Sequence, residues 1–165
     1  MRVLISFLLA IILSLLGGLG ITGSTSNIAA LQNDIEIEVA DGGYVFIRSL
    51  EADKFSKTKV FDDGVTITAD GSATRSRSPF TYNGTSLSYA FANCSEITVE
   101  NLKTGGKISV YFMLNSGSEA TISFEKSAYK LTNDENYKIC TFDIPSGNTT
   151  INITGSSKIY GIIID

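Results

Sequence analysis

"GGKISVYFMLNSGSEATISFE", residues 105–125, holds two runs of alternating apolar and polar residues on either side of a polar turn cluster. In the first run Ile108, Val110, Phe112 and Leu114 share one side of an extended chain; in the second Ala120, Ile122 and Phe124 do. Successive side chains of a strand point to opposite faces, so this period of two marks strands that bury one face and wet the other. The pattern repeats in both directions. "DIEIEVA" (34–40) sets Ile35, Ile37 and Val39 against Glu36 and Glu38, and "GVTITAD" (64–70) sets Val65 and Ile67 against Thr66 and Thr68. "TTINITG" (149–155) sets Ile151 and Ile153 against Thr150, Asn152 and Thr154.

Short polar clusters punctuate these runs: "KTGG" (103–106), "NSGS" (115–118), "PSGN" (145–148) and "TGSS" (154–157). Gly, Ser, Asn and Pro in such clusters are turn formers, so the spacing predicts two meanders, over residues 96–125 and 136–164. The whole reads as all-β: an antiparallel β-sandwich of jelly-roll type with about ten short strands. The stretch "GSATRSRSPFTYNGTS" (71–86) is less regular and fits either a long loop or an edge strand followed by a turn. The closing "KIYGIIID" (158–165) is apolar on both faces, with Ile159 and Ile163 expected on one and Tyr160, Ile162 and Ile164 on the other. A strand of that kind is covered on both sides and belongs inside a sheet. Gly161 within it is expected to admit a close neighbour.

Residues 1–26, "MRVLISFLLAIILSLLGGLGITGSTS", have the form of an export signal. Arg2 supplies the positive start, the run from Val3 to Leu16 is apolar, and Gly17, Gly18 and Gly20 lead into small residues suited to cleavage. Retention as a membrane anchor is the alternative, because no charge falls between Arg2 and Asp34. A spanning helix needs about 20 apolar residues, and the glycines interrupt this one. Either route places residues 27–165, read as a single β-sandwich domain, outside the membrane as a secreted or extracellular-surface protein. Any membrane contact is then through an uncleaved N-terminal segment alone.

The 165 residues carry a net charge of −4, with no histidine and no tryptophan. A negative balance argues against nucleic acid, which selects a basic patch. Without histidine there is no usual serine or cysteine triad and no histidine zinc site. Paired carboxylates remain, Glu36 with Glu38 and Glu96 with Glu100, together with Glu125. None stands in a glycosidase signature, and they are read as solvated strand faces, so no enzyme is expected. Asp62 and Asp63 in "FDDG" (61–64) and Asp134 in "NDE" (133–135) set hard oxygen ligands in turns, which suits calcium, although Asp also simply forms turns. No other cofactor is called for. Cys94 and Cys140 form an even pair in an exported chain, which predicts one disulfide worth about 4 kcal/mol; two buried thiols are the alternative. Asn83, Asn93, Asn148 and Asn152 begin Asn-x-Ser/Thr sequons, glycan acceptors only in a host that uses them.

Sugar rings stack on exposed aromatic rings, and here tyrosine or phenylalanine must serve. Tyr82 sits near Arg75 and Arg77, a cluster whose guanidinium forks suit the carboxylate of a uronate. Tyr111 lies on the strand face opposite Val110 and Phe112.

"SPFTYNGTSLSYAF" (78–91), "GGKISVYFML" (105–114), "EATISFEKS" (119–127) and the closing "INITGSSKIYGIIID" (151–165) resemble jelly-roll ancillary modules appended to secreted bacterial pectate lyases, pectinesterases and related polysaccharide-degrading enzymes. The resemblance covers about residues 46–165 and rests on strand patterning and the closing Ile-Tyr-x-Ile strand. It implies the fold and a polysaccharide setting; it carries over no binding residue. The expected function is a non-catalytic carbohydrate-binding module for a plant cell-wall polysaccharide such as pectin. The alternative is a structural or adhesive surface sandwich that meets a protein partner.

Overall fold

The computed structural model describes residues 29–30, 42–51, 55–82, 85–114, 117–132 and 138–165. Among them the chain forms β1 (Ala29–Ala30), β2 (Tyr44–Ile47), β3 (Thr58–Val60), β4 (Thr66–Ala69), β5 (Ser72–Tyr82), β6 (Thr85–Ala92) and β7 (Glu96–Leu102). It continues through β8 (Gly106–Leu114), β9 (Ala120–Phe124), β10 (Ser127–Leu131), β11 (Lys138–Ile144), β12 (Gly147–Gly155) and β13 (Ser157–Ile164). One 3-10 turn, Arg48–Leu50, follows β2. The strands make two antiparallel sheets, one ordered β1-β11-β8-β13-β6-β5 with β2 also paired to β13, the other β10-β9-β12-β7-β4-β3. This is the all-β, jelly-roll sandwich that the alternating sequence predicts.

The two expected meanders do not form. Consecutive strands β6 to β9 alternate between the sheets, and so do β10 to β13, so their short links cross from one layer to the other. Pairing between sequence neighbours is confined to β3–β4, β5–β6 and β9–β10 among the described strands. Turn residues mark where a strand ends; which strand it then joins is decided by distant apolar surface. Of the stretch 71–86, residues 72–82 form an edge strand, because β5 lies at one margin of its sheet, while the expected turn falls at residues 83–84, outside the described residues.

The core between the sheets draws Val110, Phe112 and Ile162 from one layer and Ile67, Ile97, Ile122 and Ile151 from the other. On the outer side of the seven-stranded sheet a second buried cluster gathers Ile47, Leu87, Tyr111, Tyr160 and Ile163. The closing strand therefore is buried on both faces, as its sequence predicts, but its phase differs from simple alternation. Between Ile159, opposite Phe112, and Gly161, opposite Tyr111, Tyr160 is an extra residue in the ladder. Such a bulge lets two residues on one strand oppose one on its partner. It turns Ile159, Ile162 and Ile164 into the main core and Tyr160 and Ile163 outward. A β-carbon built on Gly161 would overlap Ile47 Cδ1, so the glycine admits that side chain from β2.

The outward face of the six-stranded sheet is hydroxyl-rich. Thr58, Thr68, Thr98 and Thr150 stand in register across β3, β4, β7 and β12. The Thr58 and Thr68 hydroxyls are 2.9 Å apart, the kind of cross-strand pair that steadies a sheet. Glu96 and Glu100 are exposed on the same strand system, opposite Asn152 and Thr66, as solvated strand residues.

Cys94 and Cys140 are not bridged; both are buried as thiols. Cys140 sits on β11, and β6, which leads into Cys94, lies three strands away in the same sheet. At about 4.8 Å a step that is on the order of 14 Å, beyond the roughly 4.4–6.8 Å between Cα atoms that a disulfide spans. Cys94 Sγ instead donates to the Glu96 carbonyl at 3.1 Å. Burial, reinforced by Asp70, pushes its thiol up to about 12, so it is uncharged at neutral pH.

Asp70 holds the β6–β7 crossing. Its carboxylate accepts from the backbone N–H of Ser95 at 2.7 Å and of Glu96 at 3.1 Å, and from the Ser95 hydroxyl. Burial alone would raise this carboxyl, but the hydrogen bonds from Ser95 and Glu96 lead the opposing effects that hold it below the ordinary carboxylate value.

Two outcomes follow from this packing. Gly161→Ala is expected to cost about 1–3 kcal/mol in urea unfolding, and Ile47→Val, which removes the overlapping methyl, to recover part of that loss in the double variant. Equal losses in the single and double variants would show that the contact with Ile47 is not the cause. The lowered Asp70 carboxyl contributes stability that is present above its unfolded value, near pH 4, and is lost as pH falls through its folded value. Asp70→Asn is therefore expected to lower stability by about 1–2 kcal/mol at neutral pH. The gap to wild type should close as the pH is taken below 4; a gap constant from pH 7 to pH 2 would contradict the assignment.

Candidate functional site: an aromatic cleft between the sheet edges

The six-stranded sheet ends on the β9–β10 hairpin, and the seven-stranded sheet brings β11 to the same side of the sandwich. Between them lies a cleft of about 230 Å3. Its inner wall is a trio of rings. Phe142 on β11 meets Tyr129 on β10 edge-on at 5.0 Å and Phe124 at the end of β9 edge-on at 6.2 Å. Alternation explains the placing: Phe124 follows Ala120 and Ile122, Tyr129 precedes Leu131 by two, and Phe142 lies two from Cys140 and Ile144, all inward positions. Phe142 and Tyr129 are almost fully covered, whereas Phe124, which also lines the cleft, is half-buried.

The Tyr129 hydroxyl donates to the Thr141 carbonyl at 2.7 Å. Burial, with Cys140 nearby, pushes it above the ordinary phenol value, so it stays protonated and the bond ties β10 to β11. That bond fixes the width of the cleft. Glu125, Ser127 and Asp143 also line it. Glu125 and Asp143 are exposed; Glu125 has φ 50 at the tip of the hairpin, which turns the chain between β9 and β10. The cleft is smaller than the roughly 300–1,000 Å3 pockets that engulf a drug-sized ligand. It has room for one ring-sized unit, and its exposed lining is mostly polar, with Phe124 among the lining residues.

Two other hollows lie elsewhere on the surface. One, of about 260 Å3, lies over Thr121, Thr154 and an exposed Lys130–Glu119 pair 3.8 Å apart; the other, of about 160 Å3, adjoins Tyr44, Thr104 and Asp165. Each lacks the ring trio.

The structure scatters the residues singled out from the sequence. Arg75 is exposed on β5, at the opposite margin of the sandwich from the cleft. Arg77 and Tyr82 belong to the same strand, but their side chains lie outside the described residues, as do Asn83 and Asp134. Tyr111 does face away from Val110 and Phe112, yet it is 4% exposed within the outer cluster and presents no ring for stacking. Asp62 and Asp63 are exposed in their turn; Asp63 accepts from the Tyr44 hydroxyl at 2.6 Å and from the Val65 N–H at 3.2 Å. The Tyr44 hydrogen bond, first, and that of Val65 hold the Asp63 carboxyl below its ordinary value. No group of three or more acidic or cysteine side chains is gathered as a metal site among the described residues. Of the sequons, Asn93, Asn148 and Asn152 are exposed, and Asn148 Oδ1 accepts from the Asn101 N–H at 3.0 Å.

Sequence reasoning missed the cleft. Its rings read as ordinary core positions, and what brings Phe124 and Tyr129 beside Phe142 is the meeting of two sheet margins far apart in the chain. The one signal was Phe124 immediately before a charged hairpin tip, "FEKS" (124–127).

No protein-family model matches the chain, and no curated protein matches it at a significant level. Solved structures do. One comes from work on the complexity of the Ruminococcus flavefaciens cellulosome as an expansion in glycan recognition. It is 21% identical, with a TM-score of 0.51 over 74% of this chain and 92% of its own. Its likeness bears out the β-sandwich. Another, TmCBM61 in complex with β-1,4-galactotriose, is 11% identical over 67% of this chain and 84% of its own, with a TM-score of 0.35, too slight to bear on the fold. Among the described residues no helix is long and apolar enough to cross a membrane; the N-terminal segment 1–26 lies outside them.

Proposed function

We propose that the chain is an exported, non-catalytic glycan-binding module whose ligand seats one sugar unit in the cleft between β10 and β11. The observation that carries this is the half-buried Phe124 ring, set beside two exposed carboxylates and a hydroxyl in a cleft of sugar size. A sugar ring has an apolar face suited to an aromatic wall and an equatorial belt of hydroxyls suited to acceptors such as Glu125 and Asp143. The fold shared with a chain from a study of cellulosomal glycan recognition supports the same reading. A plant cell-wall polymer such as pectin, with its charged backbone and uncharged branches, is the setting that the sequence resemblance supplies. Residues 1–26 act in this reading as the export segment, and residues 27–165 as one domain.

The adhesive reading has its own observation. Leu50, Phe55 and Val60 are large apolar side chains exposed at 49%, 83% and 68%, along the side of the sandwich that carries β3. Scattered exposed apolar residues are common on soluble domains, whereas the cleft joins rings and acceptors in one place. Glycan binding is therefore preferred.

Affinity electrophoresis of the full chain through gels containing xylan, mixed-linkage glucan, galactan or polygalacturonate tests it. At least one gel should retard the protein, and Phe124→Leu, which keeps apolar volume but removes the ring, should weaken that binding by about tenfold, or roughly 1.4 kcal/mol. An unchanged retardation with Phe124→Leu moves the site away from the cleft, and no retardation in any gel favours the adhesive reading.

A further inference from the structure

We infer that the Ser56 hydroxyl plugs the open edge of β3 and stops the six-stranded sheet from continuing into a second copy of this chain. Among the described strands β3 is one margin of that sheet. Its bonding to β4 fixes which way each backbone group points. The Lys57 carbonyl accepts from the Ala69 N–H and the Phe61 N–H donates to the Val65 carbonyl, each at 2.9 Å, on either side of the register pair Lys59 and Ile67. Along an antiparallel ladder, pairs that exchange hydrogen bonds alternate with pairs that do not. Lys59 therefore turns its backbone toward β4, and Thr58 and Val60 turn their N–H and C=O groups away from the sheet.

Such an edge is a template for a further strand. At Thr58 the template is filled from within the chain. The Ser56 hydroxyl accepts from the Thr58 N–H at 3.3 Å and donates to the Thr58 carbonyl at 2.6 Å. One side-chain oxygen two residues upstream thus occupies both outward groups of the strand's first residue.

The occupant that this contact excludes is another β3. Two copies would lie antiparallel about a two-fold axis, with Lys59 opposite its own counterpart and Thr58 opposite Val60 of the other copy. In that pairing every backbone hydrogen bond uses the N–H or the carbonyl of a Thr58, so the plug removes them all at once. The side chains leave the edge attractive without it: Thr58 and Val60 are both exposed on its outward face, and Leu50 and Phe55 are exposed nearby in the chain. Lys59 adds a weaker restraint, because two lysines meet at the axis. Each keeps its own Glu51 at 2.9 Å, and salt screens the repulsion that is left.

Sedimentation equilibrium of the full chain, of Ser56→Ala, and of Ser56→Ala with Val60→Pro, at low and high salt, tests the inference. Any association of wild type is the baseline. Alanine removes only the hydroxyl at a half-buried surface position. Proline is tolerated on an edge strand, and at residue 60 it deletes an outward N–H that makes no bond to β4. An unfolding transition recorded for each variant checks the fold. Ser56→Ala should associate about tenfold more tightly than wild type, and more tightly still at high salt. Adding Val60→Pro should return the association to the wild-type value. Hydrogen exchange at the same concentrations should show the Val60 amide newly protected in Ser56→Ala alone. Association of Ser56→Ala equal to that of wild type at both salts would overturn the inference. A gain that survives Val60→Pro, or that leaves the Val60 amide unprotected, would overturn it too, since the new contact would then lie away from this edge.

Discussion

Strand β13 is hydrogen-bonded along both edges, to β8 on one and to β6 and β2 in succession on the other, while both of its faces are buried. No other described strand pairs with as many partners. Its partners come from residues 44–47, 91–92 and 108–114, so the seven-stranded sheet closes only when the last strand is in place. The four isoleucines it contributes, Ile159, Ile162 and Ile164 inward and Ile163 outward, each gain about 1.5–3 kcal/mol on leaving water. The bulge at Tyr160 is what lets one short strand serve both clusters. Ile159 and Ile162 then point the same way across an odd step, and Tyr160 fills the outer cluster.

The cleft follows from that arrangement. With β13 central, β8 and then β11 extend the sheet toward one margin, and β11 is carried to the side on which the β9–β10 hairpin ends the opposite sheet. The hydrogen bond from Tyr129 to Thr141 holds the two margins together at one point. The ring trio fills the space below it, and the hairpin tip and Asp143 stand above. A concave site at the junction of two layers is thus built from strand ends whose positions the core has already set, which is how a rigid scaffold presents polar groups without ordering them at each binding event.

How much of this was legible in the sequence differs by feature. Period-two alternation in "KISVYFML", "EATISFE" and "TTINITG" identified β8, β9 and β12 and one buried face of each, because alternation is a local property of the strand; the burial of Tyr111 and Met113 on the other face of β8 was not legible. Burial of "KIYGIIID" on both faces was legible as a local pattern too. Pairing was not. "NSGS" and "PSGN" look the same whether the chain turns back within a sheet or crosses to the facing one, and here it crosses. The Tyr160 bulge was hidden too, since an extra residue in a ladder exists only relative to the partner strand. Even count and compartment suggested a Cys94–Cys140 bridge, and strand order separates the two residues. At the candidate site the sequence drew attention to arginines and tyrosines of the irregular 71–86 stretch, where charge and aromaticity stand out locally. The cleft instead uses Phe124, Tyr129 and Phe142, whose inward spacing makes them indistinguishable from core residues until two sheet margins are brought together.

Hydrogen exchange of the full chain, with and without neutral oligosaccharides released from xylan, mixed-linkage glucan and galactan, tests the central claim most directly. Binding in the cleft predicts added protection confined to the backbone of residues 124–129 and 141–143, with β3 and β5 unchanged. Protection on β3 or β5, with the β9–β10 tip exchanging as before, would contradict it.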